Sequence, residues 1–198
     1  VIIFVLIVTF VNYFIMKKIL VTGANEQLGQ CLQKISSQFE EFEFIFTDSE
    51  TLDITNKEEV NDFFWQNAPD FCINAAAYTA VDLAETDIEK AFLVNADGAE
   101  NLAEACAENN AQFIHVSTDY VFDGENNLAY TEEDFTNPLG VYGASKLAGD
   151  ELALEVNPCS VILRTSWVYS EFGKNFVKTM LNLFATKEEL NIVADQFG

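Results

Sequence analysis

Three polar side chains in the second half of the chain are of the types that a ketone reduction requires. Tyr142 and Lys146 stand in the segment YGASK at a spacing that places them on one face of a helix. Thr118 ends an apolar run earlier in the chain. A phenol has an ordinary pKa of about 10, and a nearby ammonium would lower that pKa toward working pH. Y-x-x-x-K is common by chance, but its position after a strand-ending threonine makes these three residues candidate catalytic groups.

A glycine-containing turn, VTGANEQLGQ, follows the first apolar run after Met16. Gly23 would permit a tight turn, and Gly29 would let the following helix pack closely on a sheet. A diphosphate would then lie at the N-terminus of that helix. An ordinary strand–helix turn is the alternative. The candidate cofactor-binding residues of this turn are Gly23, Asn25, Glu26, Gln27, Leu28 and Gly29.

Glu26 occupies a position where such a turn is expected to carry a third glycine. A carboxylate held about 6 Å from a diphosphate charge would cost roughly 3 kcal/mol at an effective dielectric constant of about 20. A side chain turned into water would cost less than about 1 kcal/mol. A requirement for positive φ would add about 1 to 2 kcal/mol. We therefore expect dinucleotide binding that is weakened but not abolished.

Further candidates follow the second and third predicted strands. Asp48 ends the second strand, where an acid can accept hydrogen bonds from ribose hydroxyls and would repel a 2′-phosphate. A turn-forming aspartate is the alternative. The small side chains after the third strand would let a ligand lie flat on the backbone, although they also suit helix–sheet packing. The cofactor-binding candidates of this group are Asp48, Asp53, Ile54, Ala75, Ala76 and Ala77.

Two further polar residues lie within predicted helices or strands that are otherwise largely apolar. Asn95 lies within a predicted helix, where it could hold water or backbone near a nicotinamide or satisfy a buried amide. His115 lies in an apolar strand and is expected to be core packing.

Apolar strands and amphipathic helices alternate from Met16 onward, which predicts an α/β fold with a doubly wound parallel sheet. The predicted strands are KKILVTG, FEFIFTD, DFCINAAA, AQFIHVSTD, CSVILRTSWVY and LNIVADQ. The predicted helices are NEQLGQCLQKISSQF, NKEEVNDFFWQNA, DIEKAFLVNADGAENLAEACAENN, VYGASKLAGDELALEV and NFVKTMLNLFATKE.

Composition excludes several classes of protein. A formal net charge of −22 argues against nucleic acid or an anionic membrane as a partner. The single histidine and the four scattered cysteines argue against a bound metal cluster and fit a reducing cytoplasm. Residues 1–15 are uncharged and apolar but shorter than the roughly 20 residues of a membrane span. We expect this N-terminal extension to lie outside the fold, which would occupy residues 16–198.

The motifs together resemble the extended short-chain dehydrogenase/reductase superfamily, and within it the dTDP-4-dehydrorhamnose reductases. The matching segments are ILVTGANEQLGQ, INAAAYTAVDLAE, STDYVFDG, PLGVYGASKLAGDE, RTSWVY and VADQFG. Related dehydratases carry an acid pair after the strand-ending Ser/Thr, whereas Tyr120 follows Asp119 here. The resemblance therefore favours a simple reductase. Members of the family continue beyond DQFG, so most of a smaller substrate lobe is expected to be missing from this chain.

The resemblance implies a Rossmann-like, NAD(P)-binding domain that reduces C4 of dTDP-4-dehydro-L-rhamnose in dTDP-rhamnose and cell-surface polysaccharide biosynthesis. Tyr142 would donate a proton, Lys146 would bind the nicotinamide ribose, and Thr118 would hydrogen-bond the ketone. NADPH or NADH would be the cofactor, with NADH favoured by Asp48, and Mg²⁺ and a homodimer are further candidates. The implied substrate-binding residues are Val81, Thr118, Asp119, Tyr120 and Trp167.

Two other functions remain open at this point. A non-catalytic homologue, such as the regulatory subunit of methionine adenosyltransferase, would share the fold and bind a partner enzyme. A sugar-nucleotide epimerase would use the same three catalytic residues but keep its NAD throughout the cycle. The presence of Thr118, Tyr142 and Lys146 together favours an enzyme, because a binding module need not keep all three.

Overall fold

A five-stranded parallel sheet forms the centre of the computed structural model, which describes residues 16–126 and 128–191. The strands lie in the order β2-β1-β3-β4-β5, and every neighbouring pair is parallel. Their bounds are β1 Lys17–Thr22, β2 Phe42–Phe46, β3 Phe71–Asn74, β4 Gln112–Thr118 and β5 Val161–Thr165. The doubly wound α/β sheet predicted from the alternation of patterns is thus confirmed.

Seven α-helices connect or follow these strands in the described part of the chain. They are α1 Gln27–Ser36, α2 Lys57–Asn67, α3 Val81–Ala84, α4 Ile88–Phe92, α5 Gly98–Glu108, α6 Val141–Val156 and α7 Phe176–Thr186. A π-helical segment, Leu93–Asp97, joins α4 to α5, so the single long helix predicted there contains a π-bulge. A short 3₁₀ turn, Asp119–Val121, follows β4.

The direction of winding reverses at β1. From β1 the chain moves to β2 on one side, and it then crosses back to β3, β4 and β5 on the other. Because crossovers between parallel strands are right-handed, this reversal puts α1 and α2 on opposite faces of the sheet. It also opens a crevice beyond the carboxyl ends of β1 and β3, where open α/β sheets bind their ligands.

The core lies between the sheet and the helices α2, α5 and α6. Leu20, Phe64, Leu102 and Phe113 are fully buried there. The central strand β1 is buried from Leu20 through Thr22, whereas β5 exposes Val161 and Leu163 at the edge of the sheet. A continuous apolar run in β1 is what a parallel strand covered on both faces requires.

Two predictions lie outside the described residues. These are the apolar extension at residues 1–15 and most of the predicted strand LNIVADQ, which extends into residues 192–198. Among the helices that the structure describes, none is both long and apolar enough to cross a membrane.

Candidate functional site

The glycine turn is built against the end of β3. Gly23 has φ +67°, and a Cβ atom there would come within 2.6 Å of the Ala76 nitrogen and 2.7 Å of the Ala75 carbonyl. A Cβ at Gly29 would come within 2.2 Å of the Gly23 oxygen. Both glycines are therefore required by backbone contact, in the roles expected from their spacing. The turn lies at the point where the winding of the sheet reverses.

Glu26 is the N-cap residue of α1 and does not have the backbone conformation that would require glycine. Its φ is −76° and its ψ is 165°, so the positive φ considered from the sequence occurs at Gly23 instead. Its N–H donates to the Gly23 carbonyl at 2.9 Å, and its side chain is exposed. Among the described residues, no side-chain hydrogen bond caps this helix. The amides of the first turn therefore lack a side-chain acceptor, which suits an anion.

Asp48 reaches the glycine turn from the end of β2. Its Oδ2 accepts a hydrogen bond from Asn25 Nδ2 at 2.5 Å, while its Oδ1 accepts from the Thr51 hydroxyl at 2.9 Å. The bond with Thr51 is the largest cause that lowers the pKa of Asp48. The carboxylate thus lies beside the turn and also stabilises its own loop. Both the binding interpretation and the turn-forming alternative agree with this position.

Asp53 and Ile54 differ in how they could contact a ligand. Asp53 is exposed and accepts hydrogen bonds from the amide and hydroxyl of Thr55 at 3.0 and 2.7 Å. Ile54 is 6% exposed and its side chain packs against Gly98 in the core. The side chain of Ile54 is therefore a core side chain in this structure.

The segment after β3 is held in place by a buried asparagine. Asn95, in the π-helical segment, accepts from the Tyr78 amide at 2.8 Å and donates to the Tyr78 carbonyl at 3.1 Å and to Ser145 at 3.0 Å. It thus fixes backbone next to Ala75, Ala76 and Ala77, which are half-buried. The sequence left open whether Asn95 would hold backbone, hold water or satisfy a buried amide, and in the structure its buried amide is satisfied by the Tyr78 backbone and by Ser145.

Tyr142 and Thr118 meet at the carboxyl end of β4. Burial raises the pKa of Tyr142 above its ordinary value, and this effect is larger than the opposite, lowering effect of the nearby Thr118 hydroxyl. The charge of Asp119 raises this pKa further. The ring of Tyr142 packs edge-to-face on Tyr120, with 5.6 Å between the ring centroids. A phenol with a raised pKa is held in its protonated form and can act as a proton donor.

Lys146 points away from Tyr142 and into the protein. It is 1% exposed, and its Nζ lies 2.8 Å from the Val116 carbonyl and 3.0 Å from His115 Nε2. Burial lowers the pKa of Lys146 to about 8, against the opposing charge of Asp150. The lowering of the Tyr142 pKa by Lys146 that the sequence predicts does not occur in the ligand-free structure, because the Nζ of Lys146 lies against Val116 and His115 instead.

The remaining substrate-site candidates also lie at the carboxyl edge of the sheet. Asp119 accepts from Ser166 at 2.7 Å, which joins the segments after β4 and β5. Tyr120 is half-exposed, and Val81 begins α3 after the β3 segment. Trp167 is 53% exposed and has φ +52°, an uncommon conformation for a residue with a side chain. Strain of this kind is concentrated at functional positions.

Sequence reasoning missed several residues that complete this region. Asn74 and His115 form a buried hydrogen-bonded pair at 3.1 Å below the site, and Asp150 accepts from Ser117 at 2.9 Å behind Lys146. The only signals in the sequence were polar residues within apolar strands, at Asn74, His115 and Ser117, and an acid within a predicted helix, at Asp150. Nothing in the spacing indicated which of them would meet.

The structure contains no candidate metal site within residues 16–126 and 128–191, since no group of three or more His, Cys, Asp or Glu side chains is arranged to hold an ion. All four cysteines are free thiols.

Comparison with known proteins identifies the family of the chain. The model of the RmlD substrate binding domain family matches residues 16–198. A dTDP-4-dehydrorhamnose reductase of Aggregatibacter actinomycetemcomitans is 48% identical over 92% of this chain and 62% of that protein. The crystal structure of a dTDP-4-dehydrorhamnose reductase from Clostridium acetobutylicum ATCC 824 superposes with a TM-score of 0.87 at 47% identity, covering 90% of this chain and 63% of that one.

A second solved structure adds a bound dinucleotide. The dTDP-4-dehydrorhamnose reductase of Bacillus anthracis str. Ames in complex with NADP has a TM-score of 0.89 at 41% identity, covering 92% of this chain and 64% of that one. The chain thus spans less than two thirds of the length of these relatives. The match of the family model over residues 16–198 shows that the chain belongs to the RmlD substrate binding domain family.

Proposed function

We propose that this protein reduces dTDP-4-dehydro-β-L-rhamnose to dTDP-L-rhamnose with NADPH or NADH, within dTDP-rhamnose and polysaccharide biosynthesis. The observation that carries the proposal is the packing of Tyr142 on Tyr120, in the turn that Thr118 caps, at the same sheet edge as the glycine turn. Residues 16–198 would form the NAD(P)-binding domain and the beginning of the substrate-binding region. The similarity to reductases of that name supports the choice of substrate.

The residues present fit a dinucleotide. No side chain fits at Gly23 or Gly29, so backbone approaches backbone closely at both positions, and α1 begins at Gln27 between them. Gln27, the first residue of α1, bonds to the Val168 carbonyl at 3.1 Å and to Asn175 at 2.8 Å. These bonds hold the segment after β5 beside the helix N-terminus. A diphosphate would bind there through backbone N–H groups.

The protein's own residues would then position the sugar and move one proton. A reduced nicotinamide supplies a hydride when it is bound. Thr118 would donate a hydrogen bond to the ketone oxygen, and Tyr142 would protonate that oxygen as negative charge develops on it. Asp119, Tyr120, Trp167 and Val81 would contact the sugar, and Lys146 would bind the nicotinamide ribose after leaving His115.

The choice between NADH and NADPH depends on a single residue. We infer a preference for NADH, because Asp48 beside the turn would repel a 2′-phosphate. The NADP complex of the Bacillus anthracis relative shows that a related protein binds the phosphorylated dinucleotide, so the preference needs direct measurement.

A cytoplasmic location fits the free cysteines. A homodimer and a requirement for Mg²⁺ are additional proposals that size measurements and chelation would test.

Turnover of the purified protein tests the main proposal. We expect dTDP-4-dehydrorhamnose to cause oxidation of NADH or NADPH, followed as a loss of absorbance at the nicotinamide band, with dTDP-L-rhamnose as the product. dTDP-L-rhamnose itself, which lacks the ketone, is the matched control and should cause none. Dinucleotide binding without oxidation by either cofactor would favour the non-catalytic homologue. Isomerisation of the sugar without net oxidation would favour the epimerase.

Substitution of Glu26 separates charge from backbone shape in the turn. Because φ at Glu26 is −76°, glycine offers no conformational advantage there, and only the carboxylate opposes the diphosphate. Glu26→Gln and Glu26→Gly should therefore tighten NADH binding to the same extent, by less than about tenfold since the side chain is exposed. Fluorescence titration measures both dissociation constants. Tightening by glycine alone would mean that backbone strain, and not charge, limits binding.

A further inference from the structure

A chain of buried polar groups crosses the sheet beneath the candidate site. It begins at Thr22 in β1, whose hydroxyl lies 2.7 Å from Asn74 Oδ1 in β3. Asn74 Nδ2 lies 3.1 Å from His115 Nδ1 in β4, and His115 Nε2 lies 3.0 Å from Lys146 Nζ in α6. All four side chains are almost completely buried. In such a chain the proton on each group determines the proton on the next.

The orientation of Asn74 is set by a backbone donor. The Ala76 N–H donates to Asn74 Oδ1 at 3.1 Å, and a backbone amide can only donate. Reversing the side-chain amide would direct its NH₂ group at this N–H and leave two donors facing each other. Asn74 therefore presents its NH₂ group, and not its carbonyl oxygen, to His115.

This orientation determines the tautomer of His115. Nδ1 must accept the hydrogen bond from Asn74, so it carries no proton, and a neutral imidazole then carries its proton on Nε2. The nitrogen that carries this proton, Nε2, lies 3.0 Å from Lys146 Nζ. Asp150 Oδ1 lies 3.8 Å from Nε2, which is beyond hydrogen-bonding range. We propose that Asn74 and His115 are positioning residues that hold Lys146 as a neutral amine, which accepts from His115 Nε2–H in the ligand-free protein.

The other charged groups around Lys146 agree with this assignment. His115 is kept neutral, since burial holds its pKa well below its usual value, and a protonated Lys146 would lower that pKa further. Burial likewise lowers the pKa of Lys146 to about 8, so the neutral amine is the main form above about pH 8 and the ammonium is the main form below it. Asp150, on the same helix, faces Lys146. On the other side of that carboxylate, Nε of Arg164 in β5 lies 3.4 Å from Asp150 Oδ2. Asp150 Oδ1 has no hydrogen-bond partner among the described residues, as expected if no ammonium group donates to it.

The arrangement would couple ligand binding to proton uptake. An ammonium on Lys146 could not share a hydrogen bond with Nε2–H, so protonation would release the side chain from His115. This consequence rests on the proposed function, in which Lys146 leaves His115 to bind the nicotinamide ribose. The protonation state of the ligand-free protein does not depend on it.

The tautomer can be measured directly, because His115 is the only histidine in the chain. We would record the ring ¹⁵N chemical shifts of the ligand-free protein by long-range ¹H–¹⁵N correlation. We expect an unprotonated Nδ1 and a protonated Nε2 at about pH 8.5, where the imidazole is neutral. A proton on Nδ1 would overturn the proposal, since Nε2 would then accept from an ammonium. This measurement is independent of turnover, so it separates failure of this proposal from failure of the proposed function.

Substitutions at Asn74 and Thr22 test the coupling to Lys146. Asn74→Asp presents a carboxylate oxygen to Nδ1, so the proton should move to Nδ1 and the pKa of Lys146 should rise by about one pH unit or more. Thr22→Val removes a different bond to Asn74 but leaves the Ala76 N–H in place, so both tautomer and pKa should stay unchanged. The pKa is followed through the Lys146 ¹⁵Nζ signal, which is assigned with Lys146→Met. An unchanged pKa in folded Asn74→Asp would overturn the coupling, and the tautomer of the parent protein decides the proposal if that variant does not fold.

Discussion

Replacing Tyr142 by phenylalanine should reduce turnover by about 10² to 10⁴-fold while leaving NADH binding intact. The substitution removes only the hydroxyl that faces Thr118, and it keeps the ring that packs on Tyr120. The proton that the reduced ketone requires would then have to come from water. Initial rates of dinucleotide oxidation with dTDP-4-dehydrorhamnose measure the loss, and fluorescence titration measures the binding.

Tyr130→Phe is the matched control for this change. Tyr130 also loses a hydroxyl in that variant, one that donates to Asp123 at 2.8 Å, and its ring remains stacked on Phe122. We expect turnover close to that of the parent protein. Equal turnover in Tyr142→Phe and the parent would remove Tyr142 from the role of proton donor.

The pH dependence of turnover follows from the raised pKa of Tyr142. Burial favours the neutral phenol, so the donor form persists above its ordinary pKa of about 10. Activity that depends on this proton is present below the raised pKa and is lost as pH rises through it. A profile of kcat against pH should therefore stay level through neutral pH on account of Tyr142. A loss between about pH 7 and 8 that disappears in Tyr142→Phe would show that the cofactor-bound protein lowers this pKa instead.

Replacing Gly29 by alanine should destabilise the protein by about 2 to 4 kcal/mol and abolish dinucleotide binding. Alanine normally favours a helix by about 1 kcal/mol over glycine. At Gly29 that gain is outweighed, because the added Cβ would lie 2.2 Å from the Gly23 oxygen and 2.7 Å from Ala24 Cα. Both of these are backbone atoms, so relief requires α1 to move away from the turn. Denaturant unfolding and NADH titration measure the two effects.

Gly98→Ala is a matched control in another helix. A Cβ at Gly98 would meet the Ile54 side chain, at 2.8 Å from Cδ1 and 2.9 Å from Cγ1, and a change in the Ile54 rotamer can move both atoms. The free energy of unfolding should therefore stay within about 1 kcal/mol of the parent value, since the same gain in helix propensity applies. Equal destabilisation by the two substitutions would show that the backbone contact between α1 and the turn is not the cause of the loss at Gly29.

The sheet and the glycine turn could be predicted because they depend on local patterns. Apolar runs in β1 and β4 reflect burial on both faces of a parallel sheet, and helical spacing in α6 reflects burial on one face. Gly23 and Gly29 were recognisable because only glycine fits a positive φ or a contact at 2.2 Å. The π-helical segment Leu93–Asp97 was not recognised, since its apolar spacing resembles that of an α-helix.

The Y-x-x-x-K spacing predicted the two residues correctly as members of one helix but not the directions of their side chains. Tyr142 lies toward Thr118 at the carboxyl edge of the sheet, whereas Lys146 enters the core beside His115. A shared helix face allows a contact without requiring it. The pKa of each group follows its own surroundings, which residues distant in sequence provide.

The amino-acid sequence by itself determined the parallel α/β sheet, the glycine turn and the set of residues at its carboxyl edge. Each of these follows from burial or backbone space, which are visible in the type and spacing of neighbouring residues. Only the tertiary structure decided the backbone conformation of Glu26, the orientation of Lys146 and the chain of hydrogen bonds from Thr22 to Lys146. These depend on which polar groups from different strands come within about 3 Å of one another, and hydrogen bonds lose most of their energy beyond that range.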